Sequence, residues 1–460
     1  MKKYRENVKV IDMALLLVII FFAMFISYIP HLNYSYPLHV DEWHHITIAK
    51  QIAETGNFSP EPFTGRTVFD DFEIGYHLLL AVIYKITGLG IKIPVYFPAI
   101  FSIISVLCVY FLARRWGTST ALISAFLTAL IPSNATIGGP SLLLPLNLTL
   151  IFTPLLLFIA FNAKRTIDYA VLSLANIFIL FAHPPTTIPI NLLLFFYLLL
   201  NLRNGKKARL IFFSLLIPLT FGVIQFLRLI EVSGVQILIY TFWVWLKEIP
   251  TLFGYVQTVF FIFGFYLLAK YGKKEDQTIL LGITSFLMVI FFYIQTGWLP
   301  LFSYHRIYMS LFILMALVAG YGISRIKSKP ALIIVLSVIV SLSLQQHLST
   351  PYYHIIDDND YHNFVWIRDN TSPDSIILLD PWKARAFPAI AERKVFTVTP
   401  FGPNQKILKI NQQAYDFFNG NCTNTTFLIE NNISVIYSPS VCQNNNLTEA
   451  RNSIYLLNKD

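Results

Sequence analysis

Residues 73–88 read EIGYHLLLAVIYKITG, and how this stretch meets a bilayer decides the topology of everything after it. As a helix it reaches only about 24 Å at 1.5 Å per residue, short of a hydrocarbon core of about 30 Å. It also carries His77 and Lys85. Taken as a span, it would put Arg114/Arg115, Lys164/Arg165 and every later basic cluster outside the cell. Laid on the outer face as a surface helix, it puts them all inside, where short Lys/Arg-rich loops belong. The surface helix is the expected arrangement.

Composition agrees with a membrane setting. The 460-residue chain is 55% hydrophobic and only 13% charged, against about 25% charged in a soluble domain. Its net charge of +9 does not point to nucleic acid, because 18 of the 34 Lys and Arg sit in the N-terminus and five short loops between apolar runs. That placement is a topology signal and leaves no basic surface for nucleic acid. The first span, 10–29, follows Lys2, Lys3, Arg5 and Lys9 without a small-residue cleavage site, so it reads as a retained helix. Ten further spans are expected at about 93–113, 118–133, 142–162, 167–182, 186–202, 209–230, 251–270, 277–296, 305–324 and 330–347. The fold class is therefore an all-α polytopic membrane protein of about eleven spans (domain 1–348). Its N-terminus is cytoplasmic, and its first external loop (30–92) carries amphipathic surface helices. No internal repeat of the kind that transporter halves show is visible.

From about residue 349 Asn, Asp, Ser and Thr rise, and short β-rich runs appear at 375–379, 394–398 and 434–437, with helical patterns at 361–370 and 406–418. Residues 349–460 read as a small extracytoplasmic α/β domain. The acceptor pattern Asn-X-Ser/Thr at Asn370, Asn421, Asn424, Asn432 and Asn446 fits an outside location. Cys422 and Cys442 fit either a disulfide, possible only outside the cytoplasm, or a pair of reduced structural thiols. Trp366 and Trp382 fit core positions or sugar-stacking platforms.

Chemistry-bearing side chains concentrate in the first loop. Residues 37–77 hold Asp41, Glu42, His44, His45, Arg66, Asp70, Asp71, Glu73 and His77 within a very apolar chain, and such groups gather where water or substrate meets a membrane. Asp41-Glu42 has two readings. Asp41 caps a helix over 43–55 with Ile46, Ala49 and Ile52/Ala53 on one face, or the pair does acid–base work.

The pattern D-E-x-x-H at Asp41–His45, then A-x-x-x-x-x-x-G-N-F from Ala49 to Phe58, then a short surface helix ending Thr87-Gly88-Leu89, resembles the GT-C membrane glycosyltransferases. These include aminoarabinose transferases, protein O-mannosyltransferases and archaeal relatives, which use polyprenyl-phosphate sugars. The resemblance implies that Asp41 is the catalytic base or organises the acceptor, with Glu42 beside it. It implies a single sugar moved from a polyprenyl (dolichyl) phosphate to a lipid-linked glycan, glycoprotein glycan or protein outside the cytoplasm. Some family members carry a second, metal-linked Asp in the next external loop, ending near D-P. Here that stretch, 137–145, places Leu144 at the position. One carboxylate cluster makes a poor Mg²⁺ or Mn²⁺ cage, so a metal-independent enzyme without cofactor is expected. The signature W-W-D-Y-G of oligosaccharyltransferases is missing from the tail, which argues against en bloc transfer to Asn.

The chemistry suits these residue types. An acceptor hydroxyl loses its proton while attacking the anomeric carbon, which needs a carboxylate in reach. The departing lipid phosphate needs cationic donors, for which Arg is best shaped. Arg306, with His305, opens the tenth span and either binds that phosphate or anchors the span at the interface with Tyr304 and Tyr308. Arg66 either does the same or pairs with Asp70 or Asp71. His183, before Pro184-Pro185, either faces the catalytic cavity or is a hydrogen-bonded turn histidine. His44 and His45 are substrate-binding candidates but not a zinc site, since adjacent histidines on a helix diverge. A transporter or lipid flippase is the competing class, disfavoured by span centres nearly devoid of charge, and a non-catalytic assembly factor is a third. An Asn-rich external domain and a dolichol-type carrier fit an archaeal cell.

Overall fold

A computed structural model describes residues 2–56, 73–233, 248–296, 304–399 and 405–458. Its helices in chain order are α1 Lys2–Tyr28, α2 Val40–Thr55, α3 Ile74–Thr87, α4 Ile93–Ala113, α5 Thr118–Ala129, α6 Leu148–Asn162 and α7 Thr166–Ala182. They continue as α8 Pro184–Leu200, α9 Gly205–Ser233, α10 Glu248–Phe253, α11 Tyr255–Tyr271, α12 Lys274–Thr296, α13 Tyr308–Ile323 and α14 Lys329–Ser349. In the tail follow α15 Asp358–Asn370, α16 Ala386–Ala391, α17 Gln405–Asn419 and α18 Thr425–Glu430. Each of the eleven expected spans meets a helix. Six are long and apolar enough to cross a membrane: Val10–His31, Gly90–Trp116, Pro145–Asn162, Gly205–Ile224, Lys274–Tyr293 and Lys329–Ser349. The other five, α5, α7, α8, α11 and α13, are apolar but shorter. The apolar stretch 73–88 forms α3, 14 residues long, or about 21 Å.

The chain divides into two compact units. The first comprises Met1–Tyr34, Phe72–Tyr76 and Val95–Tyr352, a helical bundle organised around α13. The sequence of α13, YMSLFILMALVAGYGI, has no charge on any face, and fifteen of its sixteen residues are buried. Such a helix belongs inside a bundle. Small residues let its neighbours approach closely, as membrane helices without a hydrophobic drive between them require. A Cβ on Gly264 of α11 would lie 2.1 Å from the Val318 carbonyl oxygen, and one on Gly320 of α13 would meet Ser124 Oγ of α5 at 2.2 Å. By contrast α14 buries only Ile339, Ser343 and His347, and α1 exposes Val10, Ile11, Met13 and Phe21. These outer faces are suited to lipid. At one end of the bundle Arg115 pairs with Glu275 at 3.0 Å and Asp276 at 3.2 Å, and Trp116 Nε1 donates to Asp276. Two of the expected cytoplasmic basic turns therefore meet on the same side.

The second unit comprises Ser35–Asp71, His77–Pro94 and Tyr353–Asp460, so first-loop segments fold with the tail. Its five-stranded sheet has the order β2-β1-β3-β5-β4, with β1 Ile376–Leu378, β2 Lys394–Val395, β3 Ile433–Tyr437, β4 Leu447–Arg451 and β5 Ile454–Leu457. The first three strands are parallel and β5 runs antiparallel to both β3 and β4. The three expected β runs and both helical patterns are present, and the β4–β5 hairpin is added. Cys422 and Cys442 form a disulfide next to a core of Leu378, Phe417, Phe427 and Ile436. Helix α2 packs on α16 and on the turn Pro381–Arg385. It differs from the one-faced helix expected: Trp43, His45, Ile46, Thr47, Ile48 and Ala49 are all buried, so the helix is enclosed and not amphipathic. The backbone of Tyr353 donates to Leu38 at 3.1 Å, Tyr36 OH donates to Asp358 at 2.7 Å, and Lys50 pairs with Glu392.

Candidate active site

Two groups of residues, one in each unit, carry the chemistry singled out by the sequence. The first surrounds the start of α2. The helix begins one residue before Asp41, and its N-cap is His39, in extended conformation, whose Nδ1 accepts from the Asp41 backbone N–H at 3.1 Å. Glu42 completes the reciprocal cap: its Oε2 accepts from the backbone N–H of Leu38 at 2.8 Å and of His39 at 2.9 Å. The carboxylate therefore satisfies amides that a helix start leaves open, and Glu42 is 1% exposed. The capping role offered by the sequence for Asp41 thus falls to its neighbours His39 and Glu42.

The Asp41 side chain is 43% exposed, and among the described residues its carboxylate approaches only His39 Nδ1, at 3.7 Å. That nitrogen already spends its lone pair on the Asp41 amide, so it holds no proton to share with the carboxylate. The next turn places His44 and His45 apart, as expected of adjacent helical residues. Arg385 Nη1 donates to His44 Nδ1 at 2.7 Å, and His45 Nδ1 lies 2.9 Å from His77 Nε2. Arg385 and His77 were not among the site residues selected from sequence. His77 lies in the loop that drew attention, but Arg385 sits 341 positions from its partner and nothing local marks it. Trp382, on the same turn as Arg385, is 45% exposed and is not a core residue.

The second group gathers where α7 gives way to α8. Pro184 cannot donate a hydrogen bond and starts α8, leaving His183 extended between the helices. His183 is 1% exposed. Arg306 Nη1 lies 3.3 Å from His183 Nε2, and His183 Nδ1 lies 2.6 Å from Thr186 Oγ1, which is 2.8 Å from Thr149 Oγ1. Glu73 Oε1 is 3.6 Å from the same Nε2. Burial first, and the Arg306 charge second, hold the His183 pKa well below the usual value, so the ring is neutral. His183 and Arg306, selected separately from sequence, are thus brought together, and Glu73 and Thr186 join them. Arg66, Asp70 and Asp71 lie outside the described residues, as does the side chain of His305.

The second external loop has its own scaffold. Asn147 Oδ1 accepts from Gly139 N–H at 2.9 Å, and Asn147 Nδ2 donates to the Gly139 carbonyl at 2.7 Å and to that of Leu142. Gly139 has φ +121°, and a Cβ there would lie 2.4 Å from the Pro132 carbonyl oxygen. Leu144, at the position where some family members carry an acid, is buried. Tyr76 OH fastens onto this loop at the Leu143 carbonyl, 2.8 Å away.

No protein-family model and no curated protein sequence matches the chain. Solved structures do. The archaeal oligosaccharyltransferase AglB from Archaeoglobus fulgidus, in complex with an inhibitory peptide and a dolichol-phosphate, superposes with a TM-score of 0.63 at 13% identity, covering 93% of this chain and 69% of that one. The Archaeoglobus fulgidus oligosaccharyltransferase complex with Zn and sulfate gives 0.64 at 14% identity, over 92% and 67%. ArnT from Cupriavidus metallidurans bound to undecaprenyl phosphate gives 0.57 at 11% identity, over 98% of each chain. The chain has the GT-C fold of membrane glycosyltransferases.

Proposed function

We propose that the chain is a membrane glycosyltransferase that moves one sugar from a polyprenyl (dolichyl) phosphate to an acceptor outside the cytoplasm. The observation that carries this reading is the division of labour at the start of α2. Glu42 Oε2 is engaged by the cap, whereas Asp41 keeps a half-exposed carboxylate without a charged partner among the described residues. The fold shared with proteins solved in complex with dolichol-phosphate and undecaprenyl phosphate supports a lipid-phosphate donor.

In the proposed reaction the acceptor oxygen attacks the anomeric carbon as its proton passes to Asp41. The bond from that carbon to the phosphate oxygen breaks, and the electron pair leaves with the lipid phosphate, whose charge Arg306 receives. A single displacement inverts the sugar configuration; a double displacement would need a second carboxylate as nucleophile, and Glu42 is already committed to backbone amides. A metal-independent reaction remains the expectation, resting on Leu144 in the second loop. The Cys422–Cys442 disulfide suits an oxidising outer compartment for the tail.

The test is transfer of label from dolichyl-phosphate [³H]mannose or glucose to a lipid-linked glycan by the purified full chain. Loss of transfer in Asp41→Asn with folding intact supports the enzyme and its base. Transfer unaffected by that change refutes the assignment, and uptake into vesicles without transfer favours a carrier.

A further inference from the structure

The cluster between α7 and α8 contains more than a cation. Arg306 carries N–H donors and no acceptor, so its 3.3 Å contact with His183 requires a lone pair on Nε2. A neutral imidazole with its lone pair there has its proton on Nδ1, which then donates to Thr186 Oγ1 at 2.6 Å. The hydroxyl of Thr186 can in turn donate to Thr149 Oγ1 at 2.8 Å. Every member of this chain behind Arg306 is fully enclosed: His183 is 1% exposed, Thr186 and Thr149 0%. Both ring nitrogens are engaged inside the protein, so the imidazole acts through Arg306 and does not touch substrate itself.

We infer that Thr149, Thr186 and His183 form a buried hydrogen-bonded strut that aims the Arg306 guanidinium at the phosphate of the lipid carrier. This rests on the reading of Arg306 as the phosphate ligand. With Arg306 taking the Nε2 lone pair, the Nδ1 proton is accepted by Thr186, which holds the ring in the orientation that points this lone pair at the guanidinium. Glu73 at 3.6 Å from Nε2 shows what the strut prevents. Were the proton on that nitrogen, the ring would turn its N–H to the carboxylate and repel the guanidinium. A phosphate ligand held at one end by the protein loses less freedom on binding than a swinging Arg side chain.

The experiment measures affinity of the detergent-solubilised full chain for undecaprenyl phosphate, with undecaprenol as the phosphate-free control. Thr186→Val keeps shape and removes the hydroxyl. It is expected to weaken phosphate-dependent binding about tenfold, the scale of one buried neutral hydrogen bond, while Thr186→Ser restores it. Thr149→Val, three contacts from Arg306, weakens binding by a smaller factor and reports on the strut if Thr186→Val fails to fold. In an Arg306→Ala background both Thr substitutions have no further effect, since the group they aim is gone. Full additivity of Thr186→Val with Arg306→Ala, or wild-type affinity in both Thr variants, overturns the strut and leaves the phosphate reading standing. Unchanged affinity in Arg306→Ala overturns both.

Discussion

The acidic corner at the start of α2 and the basic corner between α7 and α8 are built on opposite plans. In the first, two carboxylates lie side by side in sequence and part company in structure: Glu42 is sealed against backbone amides, and Asp41 stays half-exposed. In the second, one half-buried arginine is backed by residues from three other helical segments, His183, Thr186 and Thr149, with Glu73 nearby. A base must meet a substrate proton and gains from being left free. A phosphate ligand must be waiting in place, and gains from being held. The contrast teaches that freedom at one corner is secured by a neighbouring residue, and rigidity at the other by a chain of residues.

Breaking the contrast at its most sensitive point means removing the carboxylate proposed as the base. Asp41→Asn is expected to lower transfer by about 10²- to 10⁴-fold with the melting temperature unchanged, read from label transfer and thermal unfolding in detergent. Arg306→Ala is expected to lower transfer by about 10²-fold, with the loss in donor binding as well as in turnover. Glu42→Ala sharpens the comparison from the structural side. It leaves the amides of Leu38 and His39 without their acceptor, at a cost of about 2–3 kcal/mol, seen as a lower melting temperature. Protein that stays folded should still depend on Asp41. An equal loss of transfer without loss of stability would make the two carboxylates equivalent.

The smallest effect is the pH dependence of the basic corner. His183 is faced by Arg306, Glu73 and Thr186, and its pKa is depressed in the folded chain. Below about 6.5 the unfolded chain takes up a proton that the folded ring refuses. Its contribution to stability is complete above that value and is lost as pH falls toward the folded pKa, at most about 1.4 kcal/mol per pH unit. His183→Gln should flatten this part of the curve of melting temperature against pH between 7 and 5.

The two corners also differ in how much of them could be read in advance. The apolar runs fix the helices because hydropathy over about twenty residues is a strong local signal, and each expected span meets one. Asp41 and Glu42 stand out for the same reason, as charges in an apolar chain. Which of them caps the helix was not legible, because a histidine at the N-cap gives no usual signature and both acids fit. Arg306 and His183 were legible singly. Their meeting was not, since it depends on how α7, α8 and α13 pack. The β4–β5 hairpin escaped notice because Leu447–Arg451 reads LTEAR, and its burial pattern is mostly exposed. Arg385 had no signal at all, its partner lying in another part of the chain.

Arg306 stands two residues before α13, the helix enclosed on every side and clasped through Gly264 and Gly320. A post set that firmly cannot swing to follow a substrate. On the proposed reading, a lipid phosphate would therefore have to come to the cation, leaving any selectivity for its chain length to the outer helices that face the bilayer. Adding bulk at Gly320 would press on Ser124, tilt that post and displace the guanidinium from the far end of the same helix, without any change to Arg306 or its hydrogen-bonded neighbours.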